Sequence, residues 1–303
     1  MADANGPVFV VFNPASGRGR GARLVEPVLQ ALRARGLDPS HALTTRSGDE
    51  GPLAVSAIER GFRRIVAVGG DGTWSGVGNG VIQSGRTDVA LGLVAGGTGC
   101  DLAKSLDIPA QDVAGACRVV AEGVSRPIDA GRIEGKHFFN VCGFGFDIAV
   151  IEDTWRVKWL KGDLLYLYCA LRQLYGYPGF RVRVEADGGP AVDLDQLMLM
   201  VTNARIFGGG FKISPHAKLD DGRLDMIAFS NMPARRRLPL MGRLLKGTHL
   251  QTAEVAASQP SRLKLTFETP PRYETDGEWN QAKTNVLDIG TVPAALRVLV
   301  PAA

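Results

Sequence analysis

RIVAVGGDGT, Arg64 to Thr73, is the stretch on which the fold turns. Its first half, RIVAV, is a short, β-branched apolar run of the kind that forms a strand buried on both faces. Three glycines and an aspartate follow at once, and a helical pattern runs from Thr73 to Gln83. A strand that passes through glycines into a helix N-terminus points backbone N–H groups at an anion, and bare glycines let phosphate oxygens reach them. A tight turn would need one glycine. Three glycines around an aspartate, in strand–helix context, ask for a phosphate group.

The same arrangement recurs on either side. PVFVVF, Pro7 to Phe12, reads as a strand and leads into NPASGRGRG, Asn13 to Gly21. Ala90 to Val94 reads as another strand and leads into AGGTGCDLA, Ala95 to Ala103, with a short helix from Asp101. Between them lie a helix over Ala22 to Arg35, with Leu24, Val25, Val28, Leu29 and Leu32 on one face and Gly36 as its stop, a strand at His41 to Thr45 and a helix at Glu50 to Arg60. Repeated strand–helix units predict a parallel sheet covered by helices, with ligands at the carboxyl ends of its strands. Taken alone, the first loop is equally well a turn with basic decoration. Three glycine loops at one end of one sheet describe a nucleotide cleft.

Near Arg126 the pattern changes to β-rich runs: Pro127 to Ile133, His137 to Val141, Phe180 to Ala186, Gln196 to Thr202, Leu224 to Phe229 and Arg262 to Phe267. Helical segments at Gly162 to Tyr175 and Pro233 to Lys246 interrupt them. The expectation is an α/β domain over 1–126 followed by a mainly antiparallel β-sandwich with helical insertions over 127–303. The net charge of +4 suits anionic ligands and is too weak to argue for nucleic acid. Cys100, Cys117, Cys142 and Cys169 form no CxxC pair, which reads as reduced thiols. MADANGPVFVVFNP lacks a basic region leading into a long apolar stretch, and no run approaches the ~18–20 apolar residues of a membrane span.

NPASG, GGDGT and GGTGCDLAKSL together resemble the bacterial lipid kinases that share the diacylglycerol kinase catalytic domain. The resemblance continues through IDAGRI (Ile128 to Ile133), FFNVCGFGFD (Phe138 to Asp147), SPHAKLDDGRLD (Ser214 to Asp225) and DGE (Asp276 to Glu278). It implies a phosphofructokinase-like first domain, a β-sandwich second domain, ATP, magnesium and a membrane lipid as acceptor. Asn13, Pro14, Ala15, Ser16, Gly17, Thr44, Gly69, Gly70, Asp71, Gly72, Thr73, Gly97 and Thr98 would line the ATP site. The Asp221 carboxylate and the carbonyls of Lys218 and Arg223 would hold magnesium; on the residues alone, DDG reads first as an ordinary acidic hairpin turn. Glu278 would be the general base, with Asp276 and Asp129 as further catalytic carboxylates. For Asp129 alone, a solvated strand-edge aspartate is an equal reading. The implied location is cytoplasmic and peripheral to an anionic membrane surface, and a homodimer stays open.

This chain departs from the family's usual residues at Ala95 and Cys100, and at Ser75 and Gly76 after GGDGT. Those changes remove polar contacts near the nucleotide. They leave two alternatives open: an NAD kinase-like GGDGT enzyme, and a non-catalytic lipid- or nucleotide-binding relative. Two further segments carry open readings. Trp155 to Tyr177 is rich in apolar and aromatic residues, fitting either core or a lipid entrance. PARRRLPLMGRLLKGTHL, Pro233 to Leu250, is a basic amphipathic helix, fitting either a solvated face or anionic headgroups. His216 and His249 have no partner at metal-ligand spacing.

Overall fold

Pro7 is the only residue of the first three core strands left in water; Val8 to Phe12, Arg64 to Gly69 and Ala90 to Ala95 are buried throughout. A parallel sheet covered on both faces has no wet side, so its strands carry unbroken apolar runs rather than an alternation. In the computed structural model, which describes residues 6–97, 99–160 and 163–302, the chain runs β1 (Pro7–Phe12), α1 (Ser16–Arg23), α2 (Val25–Arg33), β2 (Asp38–Leu43), α3 (Glu50–Glu59), β3 (Arg64–Gly69), α4 (Asp71–Gln83), β4 (Ala90–Ala95), α5 (Asp101–Ser105), α6 (Val113–Glu122) and β5 (Val124–Ile133). It continues through β6 (Lys136–Phe138), β7 (Val141–Gly145), α7 (Phe146–Arg156), α8 (Asp163–Gly176), β8 (Phe180–Ala186), β9 (Val192–Thr202), β10 (Asp225–Ser230), α9 (Ala234–Lys246), β11 (Val255–Ser258), β12 (Arg262–Phe267), β13 (Arg272–Thr275), β14 (Glu278–Gln281) and β15 (Val286–Val300). The expected start of a helix at Gly162 lies outside the described residues.

These elements gather into two units, Met1–Ala130 with Pro293–Ala303, and Gly131–Val292. A linear division at 126/127 leaves the end of the chain with the second domain. The contacts instead give β15 from Pro293 onward to the first unit.

In the first unit the strands lie in the order β2, β1, β3, β4, all parallel, with Arg297 and Val298 of β15 beside Ala90 and Leu91 of β4. Phe12 lies opposite Leu43 and Val68, and Gly69 opposite Ala95. In this register the carboxyl ends of four strands are level, and the loops after them emerge side by side. Helices α3 and α4 approach closely because glycines meet there: a methyl group on Gly80 would lie 2.6 Å from the Gly51 carbonyl oxygen, and one on Gly76 2.8 Å from Glu50 Cβ.

In the second unit the strands pair antiparallel in the order β14, β13, β7, β9, β8, β12, with β12 also pairing the first part of β15, and β10 joins β9 to β11. Alternation along β9 builds two cores at once, since successive strand residues face opposite sides. Leu199 and Val201 join the sandwich core with Phe144, Leu263 and Ile289. Met198 and Met200 join the second core with Phe146, Leu174 and Leu240 from α7, α8 and α9. The single strand expected over His137 to Val141 is two strands. It breaks where Phe139, Asn140 and Val141 donate their N–H groups to one side-chain carboxylate, that of Asp276, instead of to a neighbouring strand.

Candidate functional site

The first loop is held by its own asparagine. Asn13 Oδ1 receives the Ala15 N–H (3.0 Å), the Asn13 carbonyl receives Ser16 Oγ–H (2.8 Å), and Asn13 Nδ2 donates to Thr73 Oγ1 in the second loop (3.0 Å). The backbone N–H of Asn13 reaches Val68, and Thr44 N–H reaches Phe12, so Thr44 is buried against the start of the same loop. Gly17, Arg18 and Gly19 then take φ of 56°, 60° and 87° in succession within α1. Consecutive left-handed residues turn neighbouring N–H groups to one side, which is a concavity suited to an anion. Only the glycines adopt this conformation without strain.

The third loop closes on the other two. Gly96 and Gly97 both donate to the Gly69 carbonyl, at 2.7 and 3.2 Å. A side chain on Gly17 would collide with the Gly96 carbonyl, and one on Gly97 would meet Gly70 Cα at 2.7 Å. Glycines in all three loops are thus needed where backbone passes backbone. Asp71 is built into this arrangement. Its Oδ1 accepts N–H groups from Asp101 (2.8 Å) and Leu102 (3.2 Å), capping α5 and joining the GGDGT loop to the third. Cys100 precedes that cap at φ 54°, a conformation that asparagine tolerates better than cysteine. Burial, aided by the Asp71 charge, pushes its thiol up to about 11, so it is an inert thiol at neutral pH. Pro14 is half-buried and Ala15 exposed, and Thr98 falls outside the described residues. Asp129, on β5, is buried with its Oδ1 accepting the Ala294 N–H at 2.8 Å. It is not a solvated strand-edge group.

In the second unit, DGE forms the turn of the β13–β14 hairpin. Asp276 and Gly277 both have positive φ, 49° and 86°, and Thr275 pairs with Glu278. This is the two-residue hairpin that Asp-Gly signals in a sequence. The Asp276 carboxylate accepts three backbone N–H groups, from Phe139 (2.9 Å), Asn140 (2.8 Å) and Val141 (3.1 Å). Glu274 Oε2 accepts the Gly277 N–H at 2.7 Å. The resemblance implies Asp276 beside Glu278 as a reacting carboxylate. Its hydrogen bonds tie the hairpin turn to the segment before β7, while Glu278 stands exposed at the first position of β14.

Asp147, the last residue of the FFNVCGFGFD run, carries no role that sequence reasoning assigns. It opens α7, buried, with neither carboxylate oxygen in a well-formed hydrogen bond. A side chain on Gly143 would collide with its Oδ2 and lie 3.1 Å from Glu274 Oε1, so the two carboxylates flank one glycine. Burial raises the Asp147 carboxyl to about 7, with the first amides of α7 pulling the other way. The signal available in the sequence is a glycine four residues ahead of an acidic residue in an otherwise apolar run.

The expected metal turn is a turn first. Asp221 Oδ1 receives the Arg223 N–H (3.1 Å), Gly222 has φ 71°, and the Arg223 guanidinium donates to the Gln259 carbonyl (2.9 Å). Asp221 and Lys218 are exposed. Among the described residues no group of three His, Cys, Asp or Glu side chains could hold a metal ion. A carboxylate with two backbone carbonyls is nevertheless an all-oxygen donor set, which fits the hardness of magnesium, an ion that retains several waters.

Comparison with known proteins places both parts of the chain. Residues 7–133 match the diacylglycerol kinase catalytic domain, and residues 140–300 match the YegS C-terminal NAD kinase beta sandwich-like domain. A diacylglycerol kinase of Bacillus subtilis is 30% identical over 271 residues, covering 89% of each chain, and one of Mycobacterium tuberculosis is 29% identical over 301 residues, covering 98% of this chain and 96% of its own. The crystal structure of a diacylglycerol kinase from Bacillus anthracis superposes with a TM-score of 0.74 at 20% identity, over 98% of this chain and 97% of that one. An NAD kinase from Archaeoglobus fulgidus in complex with ATP shares the fold more distantly, with a TM-score of 0.53 at 12% identity over 97% and 93% of the two chains.

Proposed function

Because the chain belongs to the bacterial diacylglycerol kinase family, we propose that it transfers the γ-phosphoryl group of ATP to a hydroxyl of diacylglycerol or a related membrane lipid. The observation that carries this reading is the mutual locking of three glycine loops at the level carboxyl ends of β1, β3 and β4. Phosphoryl transfer asks the protein mostly for positioning and charge neutralisation. Loops whose amides are fixed before the nucleotide arrives need no reorganisation when charge develops.

In this reading Asn13 to Gly17, Thr44, Gly69 to Thr73, Gly97 and Thr98 receive the nucleotide. Asp71 acts through the third loop, whose amides it orients. Asp221 with the carbonyls of Lys218 and Arg223 would hold magnesium, which supplies charge neutralisation. Glu278 accepts the proton of the lipid hydroxyl as its oxygen bonds to the γ-phosphorus and ADP departs, and Asp276 keeps the hairpin that carries Glu278 in place. Asp129 supports the site through its hold on Ala294. The acceptor is a membrane lipid, so the enzyme works at the membrane periphery; among the described residues no helix is long and apolar enough to cross a bilayer.

The test is transfer of labelled phosphate from ATP to a panel of lipids, with NAD alongside. Glu278→Gln keeps the shape and removes the basic oxygen. It is expected to lower kcat on the best lipid by about 10² or more while ATP affinity stays near wild type. Full turnover in Glu278→Gln removes the residue from the chemistry. Phosphorylation of NAD with no lipid product would replace the lipid reading altogether.

A further inference from the structure

Helix α8 is apolar on both sides. Its inner face puts Cys169 and Leu174 into the core beneath it, with Leu165 and Ala170 packed alongside. Its outer face repeats apolar residues at helical spacing, Leu164, Leu167, Tyr168, Leu171 and Tyr175, and all five are exposed. Leu164 is 67% exposed, Leu167 57% and Tyr175 67%. Trp159, 71% exposed, extends the face by stacking edge-on against Tyr168 at 5.3 Å. A helix needs only one apolar stripe to fold onto a core, and a second contiguous stripe in water marks a surface made for a partner.

The helix is held firmly. Arg237 of α9, itself buried, donates to the carbonyls of Leu174 (3.0 Å) and Tyr177 (2.8 Å) at its end. Arg172 pairs with the buried Asp153 of α7 at 3.0 Å. The exposed face is therefore a fixed part of the unit.

Charge decides what covers it. From Trp155 to Gly176 the sequence carries four basic residues, Arg156, Lys158, Lys161 and Arg172, against one acidic residue, Asp163, and Arg156 and Lys158 are exposed. A second copy of the chain would bring the same cations against these. An anionic lipid surface complements them, because near-surface Lys and Arg residues are drawn to acidic headgroups. Trp and Tyr side chains, apolar in body and polar at the tip, suit the headgroup boundary. We propose that the outer face of α8, extended by Trp159 and flanked by Arg156 and Lys158, docks on an anionic lipid bilayer. This deepens the proposed lipid phosphorylation, on which it rests for its biological sense, by naming the surface through which the enzyme meets a water-insoluble acceptor.

The test is co-sedimentation with phosphatidylcholine vesicles, with and without phosphatidylglycerol, in the absence of ATP. Wild type is expected to partition onto the phosphatidylglycerol vesicles. The double variant Leu167→Glu, Leu171→Glu should bind them at least about tenfold more weakly, since each leucine forgoes burial of its side chain. Arg156→Glu with Lys158→Glu should lower binding to anionic vesicles only. Turnover of a short-chain, water-dispersed diacylglycerol should survive in the leucine variant while turnover of vesicle-borne lipid falls. Should the double variant unfold by circular dichroism, Trp159→Ala repeats the measurement from outside the helix. Equal partitioning of wild type and variants overturns the proposal. So does a wild-type dimer in velocity sedimentation that the leucine variant dissolves without change in vesicle binding, which would assign the face to a second copy. Because vesicle binding is read without ATP, a chain that phosphorylates no lipid would sink the kinase reading while leaving the docking result intact.

Discussion

At the scale of single residues, the structure assigns work to side chains that a motif alone does not distinguish. Asp147 is the sharpest case. Its carboxyl is raised to about 7 by burial, above the ordinary value of about 3.9 for an aspartate in an unfolded chain. The native state therefore holds a proton that the unfolded state has released between those values. This contribution to stability is full below the unfolded pKa and is lost as pH rises towards 7. Asp147→Asn cannot ionise, so its Tm should exceed that of wild type at pH 8 and the gap should shrink by pH 5; a gap that stays constant across that range would mean that Asp147 does not titrate there. Arg237 is the second case. The run ARRR suggests one basic face for anionic headgroups, yet Arg235 and Arg236 are exposed while Arg237 is buried and donates to the carbonyls of Met232, Leu174 and Tyr177. Arg237→Met should cost about 3 kcal/mol or more by leaving those acceptors unbonded in the interior, whereas Arg235→Ala should stay within about 0.5 kcal/mol. Chemical denaturation of the two variants checks both. A three-residue basic run contains nothing that tells which arginine turns inward; that depends on the helix packed against it.

At the scale of elements, the parallel strands are legible in the sequence because burial on both faces leaves an unmistakable apolar run, and the glycine loops are legible because backbone crossing backbone excludes every other residue. The DGE hairpin is legible through Asp-Gly, but the three hydrogen bonds of Asp276 are not, since their partners lie over 130 positions away in sequence. Helix α7 is hidden by its start. Gly145 and Phe146 continue the strand-like FFNVCGFG run, and the change of period comes only after Asp147. Glycine inside helices separates packing from propensity most clearly. Gly80 of α4 faces the Gly51 carbonyl at 2.6 Å from any added methyl group, while Gly242 of α9 has nothing within 4 Å. Alanine is the better helix former by up to about 1 kcal/mol. Gly242→Ala should therefore raise stability by up to that amount. Gly80→Ala should lower it, because overpacking against backbone costs about 1–3 kcal/mol and outweighs the gain. Thermal melting of the pair decides it, and equal signs for the two substitutions would refute the assigned role of the α3–α4 contact.

At the scale of the whole molecule, the chain's last segment is the part that no local pattern reveals. β15 begins in the second unit and ends in the first, with Pro293 marking the change. Within the first unit it places Arg297 and Val298 along β4, buries Leu296, Val298, Leu299 and Val300, gives Asp129 the Ala294 N–H, and lets Arg297 bond Ser125 at 2.9 Å. Four buried aliphatic side chains at about 1.5–3 kcal/mol each amount to about 6–12 kcal/mol, as large as the net stability of a typical domain. Deleting Pro293 to Ala303 should therefore unfold the first unit and abolish nucleotide binding, although every glycine loop remains in the chain. Calorimetric ATP titration and limited proteolysis of the truncated protein read the two effects separately. The complementary experiment joins residues 1–130 to 293–303 through a Gly/Ser linker. That fusion should melt cooperatively and bind ATP, and residues 1–130 alone should do neither, because the edge of β4 would be left as an unpaired apolar strand open to aggregation. A truncated chain with unchanged melting and unchanged ATP affinity would mean that the sheet is complete at β4 and that the final strand only covers its edge.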